Sequence, residues 1–288
     1  MTMAETPGVL PSRIGVLGGG RMGAGIAHAF LIKGCDVLIV ERDDDAAVGA
    51  RSRVESALLA SIARGLNGPA ESHLGRLAVS TSYADFADRD LVVEAVPEVW
   101  DLKVASLTAV ERELRPGAVL ASNTSSLSLS GLAAALTRPE DFLGLHFFNP
   151  VPASALIEVV IAERTRPDLA AAAQGWTTAL GKTAVVVKDA PGFASSRLGV
   201  AIALEAMRMV EEGVAGAEDI DNAMVLGYRH PTGPLRTTDI VGLDVRLGIA
   251  EYLASTLGER FEPPQILRDK VARGELGRKS GKGFFDWA

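Results

Sequence analysis

The stretch Ile14-Gly15-Val16-Leu17-Gly18-Gly19-Gly20-Arg21-Met22-Gly23 decides the fold. Its first four residues form a short apolar run, and Gly18, Gly20 and Gly23 satisfy the spacing G-x-G-x-x-G. A helical pattern, Met22–Lys33, follows, and then a second apolar run, Val37–Val40, that ends on Glu41. Strand, glycine turn, helix, strand and terminal acid together make the fingerprint of a dinucleotide-binding βαβ unit. Gly18 permits the tight turn, Gly20 lets the backbone approach a diphosphate, and Gly23 lets the helix pack closely on the strand. The diphosphate then sits at the helix N-terminus, where unpaired N–H groups and the dipole favour anions. Glu41 is placed to bind ribose hydroxyls and to repel a 2′-phosphate, which favours NAD over NADP. Arg42 beside it is the kind of residue that can hold a 2′-phosphate, and FAD shares the same fingerprint.

Outward from this unit the alternation continues. Further apolar runs lie at Leu91–Val96, Ala118–Ala121, Phe142–Phe147 and Thr183–Val187, with helical patterns at Ala46–Arg64, Asp101–Leu114 and Asp168–Leu180. Short, continuously apolar strands suit a sheet buried on both faces, and their alternation with helices reads as a parallel sheet. Asp43–Asp45 offer an N-cap, and Gly34 and Gly181 stand where helices end. After Ala190-Pro191-Gly192 the strand-like runs stop. Helical spacing takes over at Phe193–Glu212, Glu218–Leu226, Gly242–Leu257 and Pro264–Arg273. The expectation is an α/β domain over 1–189 and an all-α domain over 190–288.

Composition narrows the function. The chain has 288 residues with 48% hydrophobic and 23% charged, an ordinary balance for a folded protein and room for two domains. Lys and Arg number 29 against 36 Asp and Glu, a net charge of −7, which argues against a nucleic-acid partner. One cysteine, Cys35, excludes a disulfide framework and a thiolate zinc site. The four histidines show no metal-binding spacing, so no metal is expected. No apolar run is long enough to span a bilayer, and the opening residues MTMAETPGVLPSR lack a secretory pattern, so the expected compartment is the cytoplasm.

Two segments carry candidate chemistry. Ala121-Ser122-Asn123-Thr124-Ser125-Ser126 follows an apolar run, at the sheet edge where ligands bind in open α/β folds. Its small hydroxyl residues can bond a ligand, or they can cap the helical pattern around Ser130–Leu136. His146 lies in the apolar stretch Gly144–Phe148, and Glu158 lies between Ile157 and Val159. A buried charge is costly unless paired, so the two invite each other. A carboxylate on one imidazole nitrogen fixes the tautomer and supports imidazolium, as a dehydrogenase base requires; a plain core histidine is the other reading. His28 reads as packed against the sheet, His73 as helical or turn, and His230 as a loop residue before Pro231.

The segments GGGRMGAGIAHAF, VVEAVPE, ASNTSS, GLHFFNPVP, LIEVV, KDAPGF and GRKSGKGFF, in this order, resemble the 3-hydroxyacyl-CoA dehydrogenases over nearly the whole chain. The resemblance implies an N-terminal Rossmann-like NAD-binding domain and a C-terminal helical domain that carries substrate contacts and forms a homodimer. It implies oxidation of the L-3-hydroxyl of an acyl thioester such as 3-hydroxybutyryl-CoA. By it, His146 is the base, Glu158 its orienting partner and Ser125 the group that holds the reacting oxygen. Glu41, Glu98, Lys103 and Asn149 become cofactor positions, together with Met22, Ala95 and Asn123. The family reads P-G-F-x-x-N-R where this chain has Ser196 in place of the asparagine. The family's CoA-binding lysine also has no counterpart in 55–65, where Arg64 is the substitute; the other reading of Arg64 is a solvated helix end. Those two departures motivate a second reading, a dehydrogenase of free 3-hydroxy acids or carrier-bound acyl groups. A third, a cofactor-binding structural protein without turnover, is opposed by the intact Ser125, His146 and Glu158.

Overall fold

A computed structural model describes residues 8–287; the reading of a missing secretory pattern falls largely on 1–7, outside the described residues. The chain divides into two compact units between Ala190 and Pro191. The first is an eight-stranded sheet flanked by helices, and the second is helical, the α/β plus all-α class that the sequence predicts. Among the described residues no helix is long and apolar enough to cross a membrane.

The strands are β1 (Arg13–Leu17), β2 (Asp36–Val40), β3 (Leu77–Ser80), β4 (Leu91–Glu94), β5 (Val119–Ser122), β6 (Phe142–Phe147), β7 (Leu156–Ile161) and β8 (Thr183–Lys188). Their order across the sheet is β3-β2-β1-β4-β5-β6-β7-β8. The chain therefore moves one way from β1 and then the other way from β4. A ligand crevice opens at such a reversal, beyond the carboxyl ends of the strands. Strands β1, β2, β4, β5 and β6 have buried cores on both faces, which is why they read as continuous apolar runs.

Two sequence expectations need correction. The sheet is mixed, because β7 runs antiparallel to β6. Only eight residues, 148–155, separate β6 from β7, too few for a parallel crossover. Strand β8 is a half-exposed edge, although its sequence reads like a buried strand. The other edge, β3, had no clear signal: only Leu77 of its four residues is buried.

Around the sheet lie α1 (Arg21–Leu31), α2 (Asp44–Ile62), α3 (Ala70–Leu74), α4 (Trp100–Glu113), α5 (Leu129–Ala133) and α6 (Pro167–Ala179). Asp43 caps α2, accepting the Ala46 N–H at 2.7 Å. The N-cap of α5 is Ser128, not a residue of the 121–126 run, so that run's hydroxyls do not serve as the cap. Cys35 is buried, and burial pushes its thiol up to about 11.

The helical unit comprises α7 (Ser195–Glu211), α8 (Ala217–Asn222), α9 (Pro234–Val241), α10 (Leu243–Leu257) and α11 (Gln265–Ala272) around a core of residues such as Leu204, Met207, Leu235 and Leu253. Helix α9 is absent from the sequence expectation; its proline and threonines hid it. Asp221 caps it from α8 by accepting the Leu235 and Arg236 N–H groups at 2.8 and 2.9 Å. Asp239 is fully buried and accepts from Phe284 N, Phe285 N and Trp287 Nε1 at 2.8–2.9 Å. The glycines of the GRKSGKGFF segment serve this anchorage: a Cβ on Gly283 would lie 2.2 Å from an Asp239 oxygen.

His28 is 1% exposed and faces α2, where its Nε2 meets Ser61 Oγ at 3.0 Å, rather than only packing on the sheet. Burial, then the nearby Arg64, His73 and Lys182, lower its pKa from 6.5 to about 4. Between these values the unfolded chain binds a proton that the folded chain refuses, so stability falls as pH drops. Urea unfolding should show a His28-dependent loss of about 2 kcal/mol between pH 7 and pH 5. His28→Gln, which keeps a partner for Ser61, should flatten that slope; an unchanged slope would remove His28 as its source.

Candidate active site

The carboxyl ends of β1, β2, β4, β5 and β6 line a cavity of about 720 Å³ in the α/β unit. Its floor is the glycine turn. Gly18 has φ +86° and donates its N–H to Val40 O at 2.9 Å. A Cβ there would lie 3.1 Å from Ala95 O, while Gly20 faces open space. Gly23 is buried, and a Cβ on it would fall 1.7 Å from Gly18 O, so α1 can begin this close to the turn only with glycine. Helix α1 starts without a side-chain cap, which leaves its first N–H groups to an anionic ligand. These observations fit a dinucleotide diphosphate. Met22 and Ala95 line the same space.

Glu41 closes β2 and accepts the Gly19 N–H at 2.7 Å through Oε1 and the Arg42 N–H at 3.1 Å through Oε2. Its carboxylate therefore braces the glycine turn while keeping further lone pairs for a ligand. Arg42 lines the same cavity, with its exposed guanidinium paired with Asp43 at 2.9 Å.

A buried charge cluster forms the next wall. Glu94, fully buried at the end of β4, accepts from Lys103 Nζ at 2.7 Å, Val96 N at 2.7 Å and Ser122 Oγ at 2.6 Å. Lys103 on α4 is 1% exposed and also reaches Val96 O at 3.2 Å and Glu98 Oε2 at 3.3 Å. Glu98 Oε1 in turn collects Thr124 Oγ1 at 2.6 Å, Ser125 N at 2.9 Å and Ser126 N at 3.2 Å. Burial works against the Glu98 charge, but Lys103, Thr124 and Ser125 outweigh it and hold the carboxyl below its usual range. Glu94 and Ser122 were missed as site residues. The available signal was an acid ending an apolar strand nine positions before a lysine, in a segment already quoted, VVEAVPE.

The third wall carries His146. In the β6–β7 register His146 stands directly opposite Glu158. Its Nδ1 lies 2.8 Å from Glu158 Oε2, with His146 7% exposed and Glu158 fully buried. The Phe148 ring covers the imidazole at 4.3 Å between centroids. Asn123 Oδ1 accepts the Phe147 N–H at 2.8 Å and so ties β5 to the end of β6. His146, Ser125, Asn123 and Asn149 all line the cavity together with Glu41, Glu98 and Lys103.

Two expected site residues of this unit, Glu158 and Arg64, are not among those that line the cavity. Glu158 lies behind His146 rather than on the cavity wall. Arg64, at the end of α2, lines a separate pocket of about 380 Å³ with His28 and Lys182. Ser196 stands in the first turn of α7, in the helical unit. Among the described residues no group of three or more His, Cys, Asp or Glu is placed to hold a metal.

Residues 13–190 match the family model described as 3-hydroxyacyl-CoA dehydrogenase, NAD binding domain, and residues 192–287 match its C-terminal domain. A probable 3-hydroxybutyryl-CoA dehydrogenase of Deinococcus radiodurans is 40% identical over 277 residues, covering 96% of this chain and all of the relative. The human mitochondrial hydroxyacyl-coenzyme A dehydrogenase is 35% identical, covering 99% of this chain and 94% of the relative. Among solved structures, the (S)-3-hydroxybutyryl-CoA dehydrogenase of Ralstonia eutropha is similar with a TM-score of 0.93 and 37% identity, over 97% of this chain and all of that one. With a glycine turn built for a dinucleotide, a buried His–Glu pair on the same cavity and matches along both units, the chain belongs to the 3-hydroxyacyl-CoA dehydrogenase family, oxidoreductases that use NAD.

Proposed function

We propose that this chain oxidises the 3-hydroxyl of an L-3-hydroxyacyl-CoA thioester, of the 3-hydroxybutyryl-CoA kind, to the 3-keto group, and carries out the reverse reduction. The observation that carries the reading is the His146–Glu158 pair at 2.8 Å on the cavity that begins at the glycine turn. The printed names of the relatives support the same substrate class.

With a carboxylate on Nδ1, the neutral imidazole keeps its proton there and Nε2 is the basic nitrogen. In oxidation Nε2 takes the hydroxyl proton, and Glu158 stabilises the imidazolium that results. Ser125, its backbone held by Glu98, presents its hydroxyl to the reacting oxygen. Bound NAD supplies the hydride acceptor. In the reduction, the imidazolium returns its proton to the carbonyl oxygen while Glu158 holds Nδ1–H in place.

Gly18, Gly20, Gly23 and Met22 would carry the diphosphate, Glu41 the adenosine ribose, and Ala95, Glu98, Lys103, Asn123 and Asn149 the nicotinamide half. On this reading 1–189 is the cofactor domain, and 190–288 contributes Ser196 to the substrate and a dimer contact. The helical unit exposes Leu198, Ile202, Val241 and Val245, apolar surface that a second copy would cover. Arg64 would hold a CoA phosphate at the end of α2, where its guanidinium suits a phosphate better than an ammonium does. A single buried cysteine leaves no disulfide to form and fits a reducing compartment such as the cytoplasm.

Acetoacetyl-CoA should be reduced with NADH and far more slowly with NADPH. Activity confined to free 3-keto acids or to carrier-bound groups would replace the CoA ester as substrate. His146→Gln should lower kcat by a factor of about 10²–10⁴ while NADH binding, read by fluorescence, stays intact. Retained turnover would remove the base assignment, and a wild-type protein that binds NADH without any turnover would favour the structural role. Arg64→Ala should raise KM for acetoacetyl-CoA about tenfold and leave KM for the acetoacetyl thioester of N-acetylcysteamine unchanged. An equal effect on both thioesters would assign Arg64 to the helix end alone.

A further inference from the structure

Helix α2 does more to the glycine turn than pack on it. Gly19 lies close against the helix: a Cβ on Gly19 would stand 2.3 Å from the Ala50 Cβ and 3.0 Å from Ile39 Cγ2. Ala50 and Arg53 are three residues apart and share a helix face. Arg53 returns to the same place and donates from Nη1 to Gly19 O at 3.1 Å. Gly49 leaves room for the guanidinium, since a Cβ there would already stand 3.4 Å from both Nη1 and Nη2. Arg53 itself borders a neighbouring pocket of about 450 Å³, with Arg21 and Ser56, and is not among the residues that line the dinucleotide cavity. Its influence on the cofactor site therefore passes through the turn.

The bond decides which way one N–H points. The peptide between Gly19 and Gly20 is planar and trans, so its carbonyl and its N–H point in opposite directions. With Gly19 O held toward α2, the Gly20 N–H is turned away from α2, and Gly20, unlike Gly19, lines the cavity. The two preceding amides are already used, Gly18 N–H by Val40 O and Gly19 N–H by Glu41. Among the described residues the Gly20 N–H has no partner, and it stands just ahead of the uncapped start of α1. It is the donor that the turn keeps for an anion. Glu41 and Arg53 thus hold Gly19 at both of its polar groups, one at the N–H and the other at the carbonyl.

We infer that Arg53 is a positioning residue for the dinucleotide: by fixing the Gly19 carbonyl it presents the Gly20 N–H to the diphosphate, without touching the cofactor itself. The test reads binding and needs no acyl substrate, so its outcome is independent of the thioester reading. NADH affinity is measured by fluorescence, and ADP and adenosine are titrated as displacing ligands; ADP carries the diphosphate and adenosine does not. Arg53→Leu should weaken NADH and ADP about fivefold, the worth of one hydrogen bond, and leave adenosine unchanged. Arg53→Lys, which keeps a donor on a stem of similar length, should recover most of the loss. The ratio between wild type and Arg53→Leu should be the same at about 0.05 M and about 0.5 M NaCl, because salt screens an exposed charge acting across space but not a hydrogen bond that sets geometry. Unchanged ADP binding in Arg53→Leu would overturn the inference. An equal loss for adenosine would also overturn it, by showing that the whole turn had shifted, and so would a loss that vanishes in salt, which would make Arg53 a simple counter-charge. Arg53→Gln, whose amide stops short of Gly19 O, takes the place of Arg53→Leu if that variant fails to fold.

Discussion

Glu94 is a carboxylate with no exposed surface, and the geometry of the cavity depends on its being satisfied. One oxygen takes the Lys103 ammonium and the Val96 N–H, and the other takes the Ser122 hydroxyl. Those contacts join β4, α4 and β5 at the place where the strand order reverses. Lys103 then carries the constraint outward to Glu98, and Glu98 gathers the backbone of Ser125 and Ser126. Removing any one member leaves a buried charge or donor unpaired, at a cost of about 3–5 kcal/mol for a broken buried pair. The hydroxyl-rich turn is thus ordered by a chain of charges that begins in the core of the sheet.

The second constraint is one of register. His146 and Glu158 are twelve positions apart, yet they are direct cross-strand neighbours because β7 turns back antiparallel on β6. A parallel β7 would need a long crossover and would put other residues opposite His146. The reversal occupies the short span 148–155, and Asn123 fixes the end of β6 beside it. The imidazole is then enclosed on one side by the carboxylate and on another by Phe148. Its pairing is a product of the sheet as much as of the two side chains.

Most of the cofactor half was legible in the sequence because its signals are local. The glycines of 18–23, the strand before them and Glu41 after the next strand fall within one βαβ unit, and each has a steric or electrostatic reason to be what it is. Pairing of His146 with Glu158 was legible only as an invitation between two isolated polar groups in apolar runs; the antiparallel register that realises it has no local signature. Glu94 and Ser122 were passed over for a related reason. Their partners come from different elements, and a lone acid at a strand end does not announce a buried lysine. Helix α9 and strand β3 were missed because tertiary contacts, Asp221 capping α9 and β2 pairing with β3, stabilise segments with weak intrinsic patterns.

The neighbouring residues Glu41 and Arg42 pull the choice of dinucleotide in opposite directions in the sequence, and the anchorage of Glu41 favours NAD. Glu41 is held at the end of β2 by two backbone donors, so its charge stays fixed beside the glycine turn. A 2′-phosphate brought there would face a carboxylate that cannot swing away without breaking the bond that braces Gly19. Arg42, which also lines the cavity, could offset this only by leaving its present partner. Its side chain is 85% exposed and committed to Asp43, which is itself needed as the cap of α2. Recruiting Arg42 to a phosphate would therefore trade one solvated ion pair for another without relieving the Glu41 repulsion. A ribose with both hydroxyls free meets the opposite situation: it brings donors to a carboxylate that still has lone pairs to offer. The preference for NAD follows from where these two adjacent charges are anchored, one against the turn and the other against the next helix.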